Sequence, residues 1–229
     1  MHELDGAYER TRRARNHLTN LKRRIKAFTQ VMRDDVFIER KPAIIRLPDG
    51  TEVAGVLGTA TSTIRPVPLI ISILVGETIY NLRAALDYLV YELARHDAER
   101  IIDGTQFPIE RREEGFKGRR TTWLKGINDE HVTAIERLQP YKGCDWSSLL
   151  RDLSNPDKHR HLTAVENPVV ISPSPGSTEA IIAGQTVDVK DDVSVSVVLG
   201  DGTPVVEALQ QLQSEITQVL DAFKPEFER

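Results

Sequence analysis

Residues 76–96, GETIYNLRAALDYLVYELARH, decide the fold, because they are typical of one long and largely buried helix. Apolar side chains recur there at intervals of three and four residues, which places them along one side of a helix: Val75, Ile79, Leu82, Leu86, Leu89 and Leu93. A second set adds apolar surface on other sides: Ala84, Ala85, Tyr88 and Val90. A helix that is apolar on more than one side is usually surrounded by other elements, so we expect this one at the centre of the protein. Its first turn begins either at Leu69 or only after Gly76.

The same stretch carries a polar cluster made of Glu77, Asn81, Arg83 and Asp87. Arg83 and Asp87 are four residues apart and can pair along the helix. A polar group buried without a partner costs roughly 2–7 kcal/mol, so these groups must be hydrogen-bonded or paired. We therefore expect Arg83 or Asp87 to contact a second polar segment, residues 155–160.

That second segment reads NPDKHR. Asn155 before Pro156 predicts a helix N-terminus, where free backbone N–H groups favour an anion, and His159 could transfer a proton near neutral pH. One interpretation is a phosphate or nucleic-acid backbone site; the alternative is a structural hub that neutralises charges of the central helix. The candidate ligand- or anion-binding residues are Asn81, Arg83, Asp87, Asn155, Asp157, Lys158 and Arg160.

The rest of the chain predicts an α+β fold in one domain over residues 1–229. We expect an antiparallel helical bundle with a small inserted antiparallel β-sheet. Asp49-Gly50 indicates a tight hairpin turn, and Asn128 an N-cap. The four main helices are expected at residues 3–34, 69–97, about 129–153 and 204–223, and the β insertions at about 36–58 and 162–199.

The N-terminal helix has a heptad seam, with Leu4, Thr11, Leu18, Ile25 and Met32 in one row and Ala7, Ala14, Leu21 and Phe28 in the other. Such a seam is long enough to pack against a neighbouring helix, and we expect a homodimer formed by helices, including the C-terminal one. Many basic residues flank the seam. They form either a solvated face or a surface for a nucleic acid or acidic partner.

Composition narrows the class of protein. The net charge of −4 shows no general basic surface for nucleic acid. Cys144 is the single cysteine, which excludes an internal disulfide and a multi-cysteine zinc site. The N-terminus has no signal-peptide pattern, and the apolar run Val67–Val75 is about half the length that crosses a bilayer. We expect a cytoplasmic protein without membrane contact, metal or cofactor.

Four short segments resemble, in this order, the motifs of a family of uncharacterised bacterial proteins: GETIYNLRAALDYLVYEL (76–93), TQFPI (105–109), AIERLQPY (134–141) and LRDLSNPDKHRHL (150–162). Members of that family usually have His where Tyr80 stands here. The resemblance implies a shared fold and brings no known activity.

Residues Arg151-Asp152 and His159 also resemble, more distantly, the Arg and His pair of HEPN domains. These are helical bundles, of which many cleave RNA without a metal and others bind nucleotides. The spacing between Arg151 and His159 is longer here than in most members, and Pro156 is expected to interrupt the helix between them. Two function classes follow. The first is a non-enzymatic binding or structural domain with a polar hub around residues 155–160. The second is a HEPN-like metal-independent ribonuclease or nucleotide-binding protein that uses Arg151 and His159.

Overall fold

The computed structural model describes residues 2–46, 50–62, 65–158, 165–166, 169–173 and 191–228. Helices dominate this part of the chain, which confirms the prediction of a mainly helical protein. Their bounds are α1 Asp5–Asp34, α2 Leu69–Ala98, α3 Glu113–Arg120, α4 Asp129–Arg137, α5 Asp145–Lys158 and α6 Val205–Phe223. Short 3-10 turns follow α4 and α6, at Pro140–Lys142 and Lys224–Phe227.

Helices α1 and α2 pack against each other along their length and run in opposite directions. Gly6, at the start of α1, lies so close to Tyr88 that a Cβ there would be 2.7 Å from its Cδ1 atom. At the other end, Phe28 of α1 and Ile71 of α2 line one groove. The heptad seam forms this contact, because its members are buried except for the half-buried Ile25. Helix α2 begins at Leu69, after Pro68, so the earlier of the two predicted starts is correct.

Helix α6 packs against both α1 and α2, and α5 packs against α2 and α6. The contact between α6 and α1 includes a hydrogen bond from the Tyr8 hydroxyl to Asp221 Oδ1, 2.7 Å long. The apolar stripe of α6 faces the core: Val205, Leu209, Leu212, Ile216, Val219, Leu220 and Phe223. Burial of these stripes is the main stabilising contribution to such a packing.

The strands form short antiparallel pairs. β1 (Val36–Arg46) pairs with β2 (Glu52–Ser62) in a register that places Arg46 opposite Glu52. Gly50, between them, has φ of 88°, a left-handed conformation that glycine adopts without strain. Two further pairs join β3 (Val165–Glu166) to β6 (Val198–Leu199) and β4 (Val169–Pro173) to β5 (Asp191–Val195). Across the described ranges these are separate pairs and not the one inserted sheet that the sequence predicts. Residues 174–190, where we expect further strand, lie outside the described residues.

One local prediction near the site is wrong. Helix α5 continues from Asp145 to Lys158, so Asn155 does not begin a new helix and Pro156 does not end one. Proline removes one N–H donor and crowds the carbonyl four residues earlier, a cost that one position near a helix end can bear when the helix is held by packing. Helix α3 precedes this region and has buried Phe116 as its apolar contact. The N-cap at Asn128 is correct, because its side chain accepts a hydrogen bond from the N–H of His131.

Helix α2 is long and apolar enough to cross a membrane, with a mean hydropathy of 1.5 over its most apolar window. The core helix of a soluble protein meets the same criteria, and 61% of that window is buried inside the structure. The hydropathy of α2 is therefore accounted for by its place between the other helices.

Candidate functional site

The polar side chains of α2 hold the backbone of the segment Phe107–Glu110. The N–H of Phe107 donates to Asp87 Oδ1 at 2.9 Å, and Arg83 Nη2 donates to the carbonyl of the same residue. Arg83 and Asp87 lie one turn apart on the same side of the helix, and their charged atoms are 3.7 Å apart. The predicted need of Arg83 and Asp87 for partners is therefore met by an extended loop. In that loop the Phe107 N–H binds Asp87, and the Phe107 carbonyl binds Arg83.

Gln139 holds the other end of this loop. It is fully buried; its Nε2 donates to the carbonyls of Pro108 (2.9 Å) and Ile135 (3.1 Å), and its Oε1 accepts from the N–H of Glu110 (2.9 Å). The three motifs around residues 83–87, 107–109 and 139 are thus one structural unit. This role of Gln139 was not predicted, because its three partners are backbone groups of a loop about 30 residues away and of the preceding helical turn.

A polar cavity of about 200 Å³ lies beside this loop. We call it the arginine pocket, because Arg83 of α2, Arg119 of α3 and Arg151 of α5 line it. The other described residues of its lining are Gln106, Ile109, Glu110, Trp123 and Ser154. The pocket joins Arg83 and Arg151, two residues that the sequence analysis placed in separate candidate sites.

The three guanidinium groups of the pocket are unequally neutralised. Arg119 Nε binds Glu110 Oε1 at 2.8 Å and lies over the ring of Trp123, 3.9 Å from its centroid. Arg151 reaches Asp152 only at 3.9 Å, whereas Arg111 binds the same carboxylate at 2.6 Å. Among the residues that the structure describes, Glu110 is the one carboxylate that lines the pocket, and Arg119 already uses it. The carboxylates nearest to the other two arginines in that part of the chain are Asp87 and Asp152, at longer distances.

Arg83 is the most buried of the three, with 8% of its surface exposed. Burial lowers the pKa of its guanidinium, because desolvation penalises the charged form, and Asp87 opposes that effect. Its Nε is buried and has no hydrogen-bond partner among the described residues. A buried charged donor without a partner among the described residues is unfavourable in a folded protein.

The other predicted site residues lie elsewhere or outside the described part. Asn81 faces α1: its Nδ2 donates to the carbonyl of Glu77 at 2.8 Å, and its Oδ1 accepts from Arg10 at 3.5 Å. Glu77 pairs with His17 at 3.0 Å. The side chains of Asn155, Asp157 and Lys158 and all of His159 and Arg160 lie outside the described residues. The predicted contact between Arg83 or Asp87 and residues 155–160 and the anion-binding roles of that segment are therefore untested, whereas the predicted helix N-terminus at Asn155 is wrong because α5 continues through it.

Within the described ranges, no group of three or more His, Cys, Asp and Glu side chains is placed to hold a metal ion. Arg119 and Trp123 line the pocket but are not among the site residues predicted from the sequence. Their meeting with Arg83 and Arg151 depends on three helices that are distant in sequence.

Comparison with known proteins gives no relative, since no family model, curated protein or solved structure matches the chain. The geometry of the arginine pocket is therefore the basis of the proposed function.

Proposed function

We propose that the protein is a non-enzymatic binding domain of the cytoplasm and that the arginine pocket binds an anionic group of its ligand. The observation that carries this proposal is that three arginines from separate helices, Arg83, Arg119 and Arg151, line one polar cavity. The segment 155–160, where a polar hub is expected, follows Arg151 and Ser154 in sequence, and these two residues line the pocket.

The chemistry of the pocket supports an anion in preference to a neutral ligand. Guanidinium groups bind oxyanions through paired N–H donors, and such charge-assisted bonds are stronger than neutral ones. Among the described residues, the carboxylate contacts of two of the three arginines are long, 3.7 Å for Arg83 and 3.9 Å for Arg151. An oxyanion beside these two guanidinium groups would leave the Arg119–Glu110 pair intact.

The test is stabilisation of the protein by anions. We expect millimolar sulfate or phosphate to raise the melting temperature of the wild-type protein well beyond the effect of chloride at equal ionic strength. Arg151→Ala should lose most of this increase, because Arg151 lines the pocket. Arg137→Ala removes an exposed arginine that does not line the pocket and should keep it. Equal stabilisation of both variants would contradict the proposal.

We also propose how the helices are arranged and how many copies of the chain associate. We expect α1, α2, α6 and the region of α4 and α5 to act as an antiparallel bundle with the β segments inserted, and the protein to form a homodimer. Large apolar side chains exposed on α2 and at the end of α1 support an interface there: Val31, Leu69, Ile70, Ile73, Tyr80 and Tyr88. The large apolar residues of α6 instead face the core, which moves the proposed interface from the C-terminal helix to α2.

A second candidate function is a HEPN-like ribonuclease or nucleotide-binding protein using Arg151 and His159. One observation favours it: Arg151 lines a pocket with two further arginines, which suits an RNA phosphate. The test is incubation of the pure protein with mixed RNA, with and without EDTA. Cleavage that survives EDTA and is lost in both His159→Ala and Arg151→Ala would support the ribonuclease. Absence of cleavage by the wild-type protein would contradict the ribonuclease and leave the non-enzymatic binding domain as the proposed function.

A further inference from the structure

We infer that the solvent-facing side of α1 binds single-stranded nucleic acid, with phosphates on its basic side chains and bases on two neighbouring tyrosines of α2. The stretch from Arg10 to Arg33 holds nine Lys and Arg and no Asp or Glu, in a chain whose net charge is −4. The described residues that line the arginine pocket lie outside α1. The inference therefore concerns a second surface and goes beyond the proposed function.

The basic residues of α1 are exposed and have few carboxylate partners. We call the exposed ones the basic face: Arg12, Arg13, Arg15, Lys22, Arg23, Arg24, Lys26 and Arg33. Arg12 and Arg13 share the carboxylate of Glu9, at 2.7 and 3.2 Å. In the part of the chain that the structure describes, no ion pair joins a carboxylate to the basic side chains from Arg15 to Arg33. Lys22 and Lys26 are one helical turn apart, where like charges repel each other, so a polyanion would relieve this repulsion.

The composition of the basic face fits phosphate groups better than a lipid surface. Six of its eight residues are Arg, whose planar guanidinium group matches the oxygens of a phosphate. The exposed side chains between them are polar or small: Asn16, Thr19, Ala27 and Gln30. Val31 is the one large apolar side chain that α1, which is described throughout, exposes. A helix that lies in a membrane surface instead carries a broad apolar face.

Two exposed tyrosines of α2 adjoin the basic face and favour a strand with accessible bases. Tyr80 is 60% exposed and Tyr88 40%. The guanidinium carbon of Arg10 lies 6.0 Å from the ring centroid of Tyr80 and 5.2 Å from that of Tyr88. Aromatic rings beside a basic surface are typical of proteins that bind single strands, because bases stack on the rings while cations follow the phosphates. An acidic protein segment would meet the charges but leave the rings unused.

The same two tyrosines belong to the exposed stripe proposed above for the dimer. A bound strand and a second copy of the chain would therefore compete for Tyr80 and Tyr88. The cations of the basic face lie on α1 and stay outside that competition.

The experiment measures binding of labelled single strands of about 20 nucleotides, as RNA and as DNA, by fluorescence anisotropy at several salt concentrations. If about six phosphates are contacted, the logarithm of the affinity should fall with that of the salt concentration with a slope of about −4. Lys22→Glu combined with Lys26→Glu should weaken binding at least about tenfold and reduce the slope by about 1.4. Lys125→Glu combined with Arg137→Glu makes the same change in net charge at exposed residues outside α1 and should bind as wild type.

The contribution of the bases is tested at Tyr80. Tyr80→Ala should bind the strand about fivefold or more weakly, whereas Tyr80→Phe, which keeps the ring, should bind as wild type. Binding of RNA or of DNA supports the inference, since both carry the phosphates and the base faces that it uses.

Four results would overturn the inference. These are equal binding by the two double variants, an unchanged affinity in Tyr80→Ala, polyglutamate of the same length binding as tightly as the strand, and loss of strand binding in Arg151→Ala. The last result would place the strand at the arginine pocket, which Arg151 lines. Stabilisation of the protein by sulfate or phosphate tests the pocket separately, so failure of the proposed function and failure of this inference are distinguishable.

Discussion

Asp87 and Phe107, 20 residues apart in sequence, are joined by a 2.9 Å hydrogen bond from the Phe107 N–H to Asp87 Oδ1. Arg83, one turn earlier, donates to the carbonyl of the same Phe107. The acid and the base thus bind the two backbone groups of a single buried residue. The four-residue spacing of Arg83 and Asp87 is what allows this, because both side chains leave α2 on the same side.

We expect Asp87→Ala to lower the free energy of unfolding by about 3–5 kcal/mol, because it leaves the buried Arg83 guanidinium without its carboxylate. Arg83→Ala should cost a similar amount. Arg13→Ala, at an exposed arginine paired with Glu9 at 3.2 Å, should cost less than about 1 kcal/mol. Urea denaturation measures all three values. If both α2 variants unfold like wild type, the binding of the Phe107 backbone does not contribute to stability.

Replacement of Gln139 tests the other end of the loop. Gln139→Leu keeps the size of the side chain but removes three hydrogen bonds to buried backbone groups. We expect a loss of about 2–4 kcal/mol in the free energy of unfolding, since each unsatisfied group costs about 1 kcal/mol or more. Gln210→Leu, at an exposed position of α6, is the control and should change stability by less than about 0.5 kcal/mol. A harmless Gln139→Leu would show that the loop is held by other contacts.

Glu9 gives a prediction about pH. Hydrogen bonds from Arg12 and then Arg13 lower the pKa of the Glu9 carboxyl to about 2, below its ordinary value. Because the folded-state pKa is the lower one, the Glu9 carboxylate favours the folded state above the unfolded pKa of about 4.3. That contribution is lost as the pH falls through the folded value. An NMR titration of Arg12→Ala should show the Glu9 pKa raised towards about 4.3, whereas Arg15→Ala should leave it as in wild type.

The proposed dimer can be tested at the exposed stripe of α2. Light scattering at micromolar concentration should give twice the chain mass of 25.8 kDa for wild type. Ile73→Lys places a charge in the stripe and should shift the mass towards that of one chain, because a buried charge without a partner is costly. Ile101→Lys, at a residue that is 69% exposed and outside the stripe, should not. A wild-type mass of 25.8 kDa would contradict the dimer.

The long helices were predictable because their signals are local and repeated. The heptad rows of α1 and the apolar spacing of α2 and α6 each identify a buried face, and the structure buries those faces. The cap at Asn128 was predictable for the same reason, since a few neighbouring residues determine it.

The end of α5 was not predictable in this way. Asn155-Pro156 has the local pattern of a new helix start, yet α5 continues to Lys158. Local preference at one proline amounts to about 3 kcal/mol, and packing of α5 against α2 and α6 can outweigh it. The helix-start signal at residue 155 was therefore overridden by contacts between distant parts of the chain.

The sequence by itself determined the buried helices, the pairing requirement of Arg83 and Asp87 and the placement of candidate charges near residues 151–160. Only the tertiary structure decided which groups those charges meet. Arg83 binds the backbone of Phe107, and it shares a pocket with Arg119 and Arg151, which come from α3 and α5. The physical reason is that periodicity identifies the face that must be buried, whereas the neighbour of a buried charge depends on how separate helices pack together.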